Sequence, residues 1–169
     1  RMQPTCRSIG AWQGQRRASA RGGPVSPSPA HYAGAMFDER PHIQERLEGE
    51  LVAWMTTVDS AGQPQTSPVW FLVEDEDIVI YSLDGTPRTR NIRANPRVCL
   101  NLNSTPAGGE VVIIEGTAEV IEDGPRAIED ERYVAKYQMA MEDLGMTPGS
   151  FAVEYPVRIH VQPTRLRAS

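Results

Sequence analysis

The sequence predicts a mainly β domain of six strands, mostly antiparallel, with two or three short helices inserted, closing into a small barrel. Three observations carry this prediction. Runs rich in β-branched and aromatic residues recur from Leu51 to the C-terminus, each bounded by Gly, Pro, Asn or Asp. The last run alternates, with Val157, Ile159 and Val161 on one face and Arg158, His160 and Gln162 on the other. No strand runs through a Gly-rich turn into a helix, which disfavours a dinucleotide-binding α/β domain.

The elements follow in order. Residues 38–49 read as an amphipathic helix, with Ile43 and Leu47 on one face and Asp38 and Glu39 at the end that favours acids. Leu51–Val58 is the first strand. The turn Asp59–Gly62 leads to a second strand through Thr66–Val73, the acids Glu74–Asp77 form a turn, and Ile78–Ser82 is the third strand. Their spacing predicts a meander of hairpins. Thr86-Pro87 starts a helix, with Thr as cap and Pro as first helical residue, and Asn95-Pro96 stops it. Val98–Leu102 and Val111–Ile121 are strands four and five, and Gly116 inside the fifth predicts a bulge or a close backbone approach. A helix runs from Asp123-Gly124-Pro125 to about Leu144 and closes on Gly145, with Glu129 and Asp130 on a solvated face.

The chain has 169 residues, of which 40% are hydrophobic and 23% charged, as in an ordinary globular domain. No apolar run approaches the ~20 residues that a membrane-crossing helix needs. Two cysteines, Cys6 and Cys99, exclude a disulfide scaffold and a multi-cysteine metal site, and reduced thiols in the cytoplasm are the simplest reading. Charge is divided unevenly. Residues 1–35 hold five arginines and no acid, while residues 36–169 hold all 22 acids against 12 basic residues. Residues 1–35 also lack periodicity and an apolar signal core. They are open to three readings: a disordered or non-native tail, a basic nucleic-acid arm, or sequence upstream of a natural start at Met36. The folded unit is residues 36–169.

The chemistry concentrates in two places. From Gly85 to Gly109 stand Arg88, Arg90, Arg93 and Arg97 with no acid, a positive island that opens at a helix N-terminus. Arg supplies forked donors that match phosphate or carboxylate, and Ser82, Thr86 and Thr89 add hydroxyls. The competing reading is a solvated helix face with ion pairs. The second place is Gln65-Thr66-Ser67-Pro68-Val69-Trp70-Phe71. Pro68 inside a strand indicates an edge or a bulge, and Trp70 is either plain core or a platform for a flat ring. His31, His42 and His160 match no metal spacing, and His160 reads as a polar outer-face residue. Cys99 reads as an inert thiol. No catalytic dyad or triad emerges, and no catalytic residue is assigned, which suits chemistry supplied by a cofactor.

The run Ile78–Ser82 followed by Thr86-Pro87-Arg88-Thr89-Arg90-Asn91-Ile92-Arg93-Ala94-Asn95-Pro96-Arg97-Val98 resembles the signature of the pyridoxamine 5'-phosphate oxidase-like superfamily. Gly62–Phe71 is similar to that superfamily's second-strand motif, and Val157–Arg167 suits its ending, so the resemblance covers about residues 40–167. It implies a split β-barrel of the FMN-binding type. Within the superfamily the chain most resembles the short actinobacterial branch that uses the deazaflavin coenzyme F-420, whose members are homodimers with cofactor in a groove between subunits. Carried over by position, Arg88 and Arg90 bind the cofactor phosphate or its acidic tail, assisted by Ser82, Thr86 and Thr89, while Gln65, Ser67, Pro68, Val69 and Trp70 line the ring. Arg88 replaces a frequent Lys, which keeps the charge but changes the donor geometry. The chain lacks a vitamin-substrate site, so making pyridoxal phosphate is not expected.

Four functions follow in order of expectation. The first is a deazaflavin-dependent oxidoreductase moving hydride between reduced cofactor and a small organic substrate. The second is an FMN oxidase or reductase of the same fold, and the third a protein that binds cofactor without turnover. The acidic folded unit disfavours the fourth, a nucleic-acid binder.

Overall fold

The computed structural model describes residues 40–169. The expectations for residues 1–35, and for Asp38 and Glu39, lie outside the described residues.

Helix α1 (Pro41–Gly49) buries Ile43 and Leu47, as the spacing predicts. The strands are β1 (Ala53–Val58), β2 (Pro64–Val69), β3 (Leu72–Glu74), β4 (Asp77–Ser82), β5 (Arg97–Asn101), β6 (Val112–Ile121) and β7 (Val157–Ala168). Helix α2 (Pro87–Ala94) lies between β4 and β5. A 3₁₀ turn (Ala127–Glu129) and helices α3 (Glu131–Asp143) and α4 (Pro148–Glu154) lie between β6 and β7. The architecture is therefore mainly β and antiparallel with short helices, as the sequence predicts. No helix among the described residues is long and apolar enough to cross a membrane.

The strand count is seven, not six, and the sheet is open. Its order is β2-β1-β5-β6-β7-β4-β3. The segment expected to be one strand through Thr66–Val73 breaks at Trp70-Phe71. Its two halves become the two edges of the sheet, so there is no simple meander: β2 pairs with β1, and β3 pairs with β4. The sheet curls until its edges are joined by two residues of chain, and the seam between them is the split. Backbone groups at such a seam have no ladder partner and are costly to bury unpaired. The Tyr137 hydroxyl of α3 serves them. It accepts from Phe71 N–H (2.7 Å), and its single proton is shared between the carbonyls of Phe71 (2.7 Å) and Leu51 (2.9 Å).

Two cores flank the sheet. Met55, Phe71, Ile78, Ile80, Leu100, Ile114 and Ile159 fill the barrel interior under α1. Val79, Tyr81, Tyr133, Tyr137, Met141 and Phe151 form a second, aromatic core under α3 and α4. Strand β4 belongs to both. Ile78 and Ile80 face inward and Val79 and Tyr81 face the helices, which explains its unbroken apolar sequence.

Local rules account for the remaining elements. Asp59 closes the β1–β2 turn by accepting from the N–H groups of Ala61 and Gln63, both 2.9 Å, and Gly62 takes the left-handed conformation at φ +83°. Gly116 sits at the β6 bulge, where a Cβ would lie 2.5 Å from the carbonyl oxygen of Gln162. The helix expected from Gly124 begins later. Glu129 and Asp130 are not an open solvated face: Glu129 accepts from Arg126 N–H (3.0 Å), and Asp130 caps α3 by accepting from Tyr133 N–H (3.0 Å). Helix α4 is an element the sequence reading did not assign. Its Thr147-Pro148 start carries the same cap-and-proline signal as Thr86-Pro87.

Candidate functional site

Thr86 caps α2 and Pro87 is its first residue, which brings Arg88 into the first turn beside the end of β4 and the middle of β2. The Arg88 guanidinium then spans three elements. One terminal nitrogen donates to Ser67 Oγ (2.7 Å) and to the Pro68 carbonyl (3.2 Å), and the other to Ser82 Oγ (3.4 Å). Its Nε is buried with no hydrogen-bond partner. Burial pushes the guanidinium's pKa down from its ordinary value, and no neighbouring acid opposes that shift. Arg cannot shed its proton in a protein. The guanidinium is thus a desolvated cation with neutral neighbours and an orphaned N–H, a setting that an anion would suit.

Arg88 stands at a cavity of about 420 Å³. Pro68, Val69, Trp70, Ser82 and Thr86 of the expected site share its wall with Arg88. A smaller cavity of about 330 Å³ adjoins it through Thr86 and Arg88 and takes in Gln65 and Ser67. Gln65 is locked in place, accepting from Asn91 Nδ2 (3.1 Å) and donating to Asp59 Oδ2 (3.2 Å). Eight of the ten expected site residues therefore meet along β2, the end of β4 and the first turn of α2.

Thr89 and Arg90 lie elsewhere. Thr89 is fully buried, and its hydroxyl donates to the Thr86 carbonyl (3.0 Å) within the capping turn. Arg90 is exposed and folds its guanidinium onto the Gly85 carbonyl. Two residues along a helix is more than half a turn, so Arg90 cannot share the face of Arg88. The positive island also divides. Arg93 pairs with Glu122 (2.6 Å) and Asp84 (3.8 Å) as an exposed ion-paired face, while Arg88 turns inward.

Trp70 is both core and wall. Its ring stacks on Tyr137 (4.6 Å between centroids) and on Phe151 (5.3 Å) while lining the cavity. Pro68 lies on an edge strand, as expected. Val52, Tyr81, Leu83, Leu144, Phe151 and Tyr155 complete the wall and were not singled out from the sequence. Phe151 and Tyr155 come with α4, so the Thr147-Pro148 signal is what would have revealed them. The wall holds no carboxylate and no histidine. His160 lies away from it, on β7, paired with Asp77 at 2.9 Å. Burial and Glu115 push the Cys99 thiol's pKa up, so it is a poor nucleophile. The described residues contain no cluster that could hold a metal ion.

A family model described as pyridoxamine 5'-phosphate oxidase matches residues 40–165. A search of curated proteins finds no match. Solved structures share the fold. An F420 reductase is 23% identical, with a TM-score of 0.55 over 73% of this chain and 94% of its own. A conserved hypothetical protein of Mycobacterium tuberculosis is 21% identical, with a TM-score of 0.59 over 76% of this chain and 82% of its own. The heme storage protein HutZ of Vibrio cholerae is 19% identical, with a TM-score of 0.55 over 76% of this chain and 93% of its own.

Proposed function

The chain belongs to the pyridoxamine 5'-phosphate oxidase family, and from that premise we propose that it is an oxidoreductase moving hydride between the deazaflavin coenzyme F-420 and a small organic substrate. The observation that carries this reading is Arg88, a desolvated guanidinium with no acidic partner at the edge of an apolar, aromatic cavity. Its forked donors suit a phosphate. Ser67, Ser82 and the Pro68 carbonyl already hold the fork, so little order is lost on binding. Pro68, Val69 and Trp70 offer a wall for a flat ring and keep water from it. Arg90, exposed in the first half of α2 and bonded to the Gly85 carbonyl rather than to an acid, would meet a second acidic group of the same ligand. The bound coenzyme supplies the hydride-bearing carbon. The wall's lack of carboxylate and imidazole leaves binding, orientation and water exclusion as the protein's contribution. The likeness to an F420 reductase supports the fold alone.

One observation favours FMN as the second reading. Arg93 is neutralised by Glu122 and Asp84, so the cavity itself presents a single cation, enough for one phosphate. We further propose a homodimer with cofactor at the interface, acting in the cytoplasm and without nucleic acid. Leu83 and Leu144 stand at the cavity 42% and 62% exposed, the kind of apolar rim a second copy would cover. A monomer mass in solution would contradict this.

The deciding experiment is titration of the purified protein with oxidised F-420 and, separately, with FMN, followed by ligand fluorescence. Tighter binding of F-420 supports the first reading, and the reverse preference moves the protein to flavin. Tight binding with no reduction of any substrate screened makes it a carrier. Binding of neither overturns the cofactor reading.

A further inference from the structure

On the other side of the Trp70-Phe71 link from Arg88, a cavity of about 250 Å³ lies between α1, the β3–β4 hairpin and α3. Leu47, Leu72 and Val73 supply its apolar wall, and Lys136, the only lysine in the chain, stands in it half-buried. The Lys136 Nζ sits 4.1 Å from the centroid of the Phe71 ring and 5.7 Å from that of Tyr137. One hydrogen bond, to the Leu47 carbonyl (2.9 Å), uses one of its three N–H donors. The charged groups that face it are Glu48 and Glu50 on the α1 side, Asp75 in the β3–β4 turn and Arg132 one turn back on α3. Burial pushes its pKa down to about 8, so at pH 8 about half of the amine is neutral, against less than about 1% for an ordinary lysine. The neutral amine is the nucleophile. Arg132, spaced to share a helix face with Lys136, lines the same cavity and donates to the Val73 carbonyl (2.8 Å). Among the described residues neither cation is bonded to a carboxylate. One small cavity thus holds a nucleophile and a cationic donor, the pair that acyl transfer to nitrogen uses, because negative charge develops on the acyl oxygen as the amine adds.

We propose that Lys136 is a covalent modification site, at which the amine takes a short acyl group from an uncharged thioester while the Arg132 guanidinium faces the acyl oxygen. The Nζ lone pair attacks the thioester carbon, an N–C bond forms and the C–S bond breaks. The nitrogen gives up one proton and the sulfur leaves as the thiol, so nothing is oxidised or reduced. Glu48 and Asp75 at the cavity disfavour an anionic acyl donor. The amide product keeps one N–H for the Leu47 carbonyl and loses the charge that sat over Phe71. Acylation therefore loosens the tie between α1 and α3 without stranding that carbonyl. The site shares no lining residue with the Arg88 cavity and stands apart from the cofactor reading.

The test treats the full chain with the small thioester S-acetyl-N-acetylcysteamine, with Nα-acetyl-lysine amide in the same solution as an ordinary lysine amine, and follows acetylation of each by mass spectrometry. At about pH 7.5, Lys136 of the folded protein should react at least about fivefold faster than the reference amine, because its larger neutral fraction outweighs its weaker basicity. In urea the advantage should vanish. The rate at Lys136 should level off above about pH 8, while that of the reference amine climbs on towards pH 10. Arg132→Gln should slow the folded reaction at least about threefold and leave the reaction in urea unchanged. Should that variant fail to fold, the ratio to the reference amine and the pH profile of the unaltered protein still decide. Arg88→Ala should leave the acetylation rate unchanged, so failure of the cofactor reading would not touch this one. Reaction no faster than the reference amine, an advantage that survives urea, a rate that climbs without levelling, or an unaffected folded Arg132→Gln variant would each overturn the proposal.

Discussion

Two cavities lie either side of the Trp70-Phe71 link, and each is lined by a half-buried cation with no carboxylate bonded to it. The Arg88 cavity is the larger of the two, at about 420 Å³. The other, about 250 Å³, is lined by Leu47, Glu48, Leu72, Arg132 and Lys136. Lys136 is the only lysine in the chain. Its ammonium sits 4.1 Å over the Phe71 ring and donates to the Leu47 carbonyl (2.9 Å). Burial is common to both sites but its consequence differs. Lys136 yields to desolvation: its pKa is pushed down to about 8, against the pull of Glu48 and Glu50. Arg88 cannot yield within the physiological range, so its unmet charge persists. Lys136 has a ring face and a carbonyl and ties α1 to α3, whereas Arg88 has two hydroxyls, the Pro68 carbonyl and an orphaned Nε. The lysine completes a structure, and the arginine is the group we propose to meet a ligand.

The largest effect should come from removing the charge that has no acidic partner. Arg88→Ala should weaken binding of F-420 or FMN about 100-fold, roughly 3 kcal/mol, with thermal stability nearly unchanged. Affinity within threefold of the unaltered protein would erase the distinction between the two sites. Next comes the hydroxyl at the seam between them. Tyr137→Phe strands the Phe71 N–H and leaves two carbonyls short of a donor, and should cost about 1–3 kcal/mol in urea denaturation.

A smaller effect separates the cations by pH. The folded pKa of Lys136 lies below its ordinary value of 10.5, so the unfolded chain binds more protons between pH 8 and that value. Stability from this group should therefore rise with pH from about 8 and be lowest below it. Lys136→Met should flatten that rise. The opposing contribution of Tyr81, Tyr133 and Tyr137, whose pKa values are raised chiefly by burial, enters from about pH 10 as the unfolded tyrosines ionise. A slope between pH 8 and 9.5 that survives the substitution would assign it elsewhere. The smallest effect belongs to the paired arginine. Arg93→Ala should change stability by no more than about 1 kcal/mol and ligand affinity by less than about twofold, since its charges are exposed and screened. A loss comparable to that of Arg88→Ala would restore the whole island as the binding surface.

Much of the site was legible because it is local. The Thr86 cap, Pro87, the Asn95-Pro96 stop and the bulge at Gly116 each follow from a residue's own backbone chemistry. The separation of Arg90 from Arg88 was equally local, since i and i+2 on a helix face apart, yet the sequence reading placed the two together. The Phe151 and Tyr155 wall escaped because α4 is a single short helix of seven residues whose start signal stands alone.

By itself, then, the sequence determined the class of the fold, the family motif, and the presence of an acid-free run of arginines opening at a helix start, with a strand segment carrying Pro68 and Trp70 earlier in the chain. Each of these depends on neighbours in the chain. Only the tertiary structure decided that Trp70-Phe71 divides one strand into the two edges of an open sheet. It also decided that Tyr137, distant in sequence, serves the gap, and that Arg88 rather than Arg93 is left without an acid. The physical reason is the same in each case. Whether a backbone group or a charge is satisfied depends on what folding brings within 3 or 4 Å of it, and residues 66 or 29 positions apart in sequence do that here.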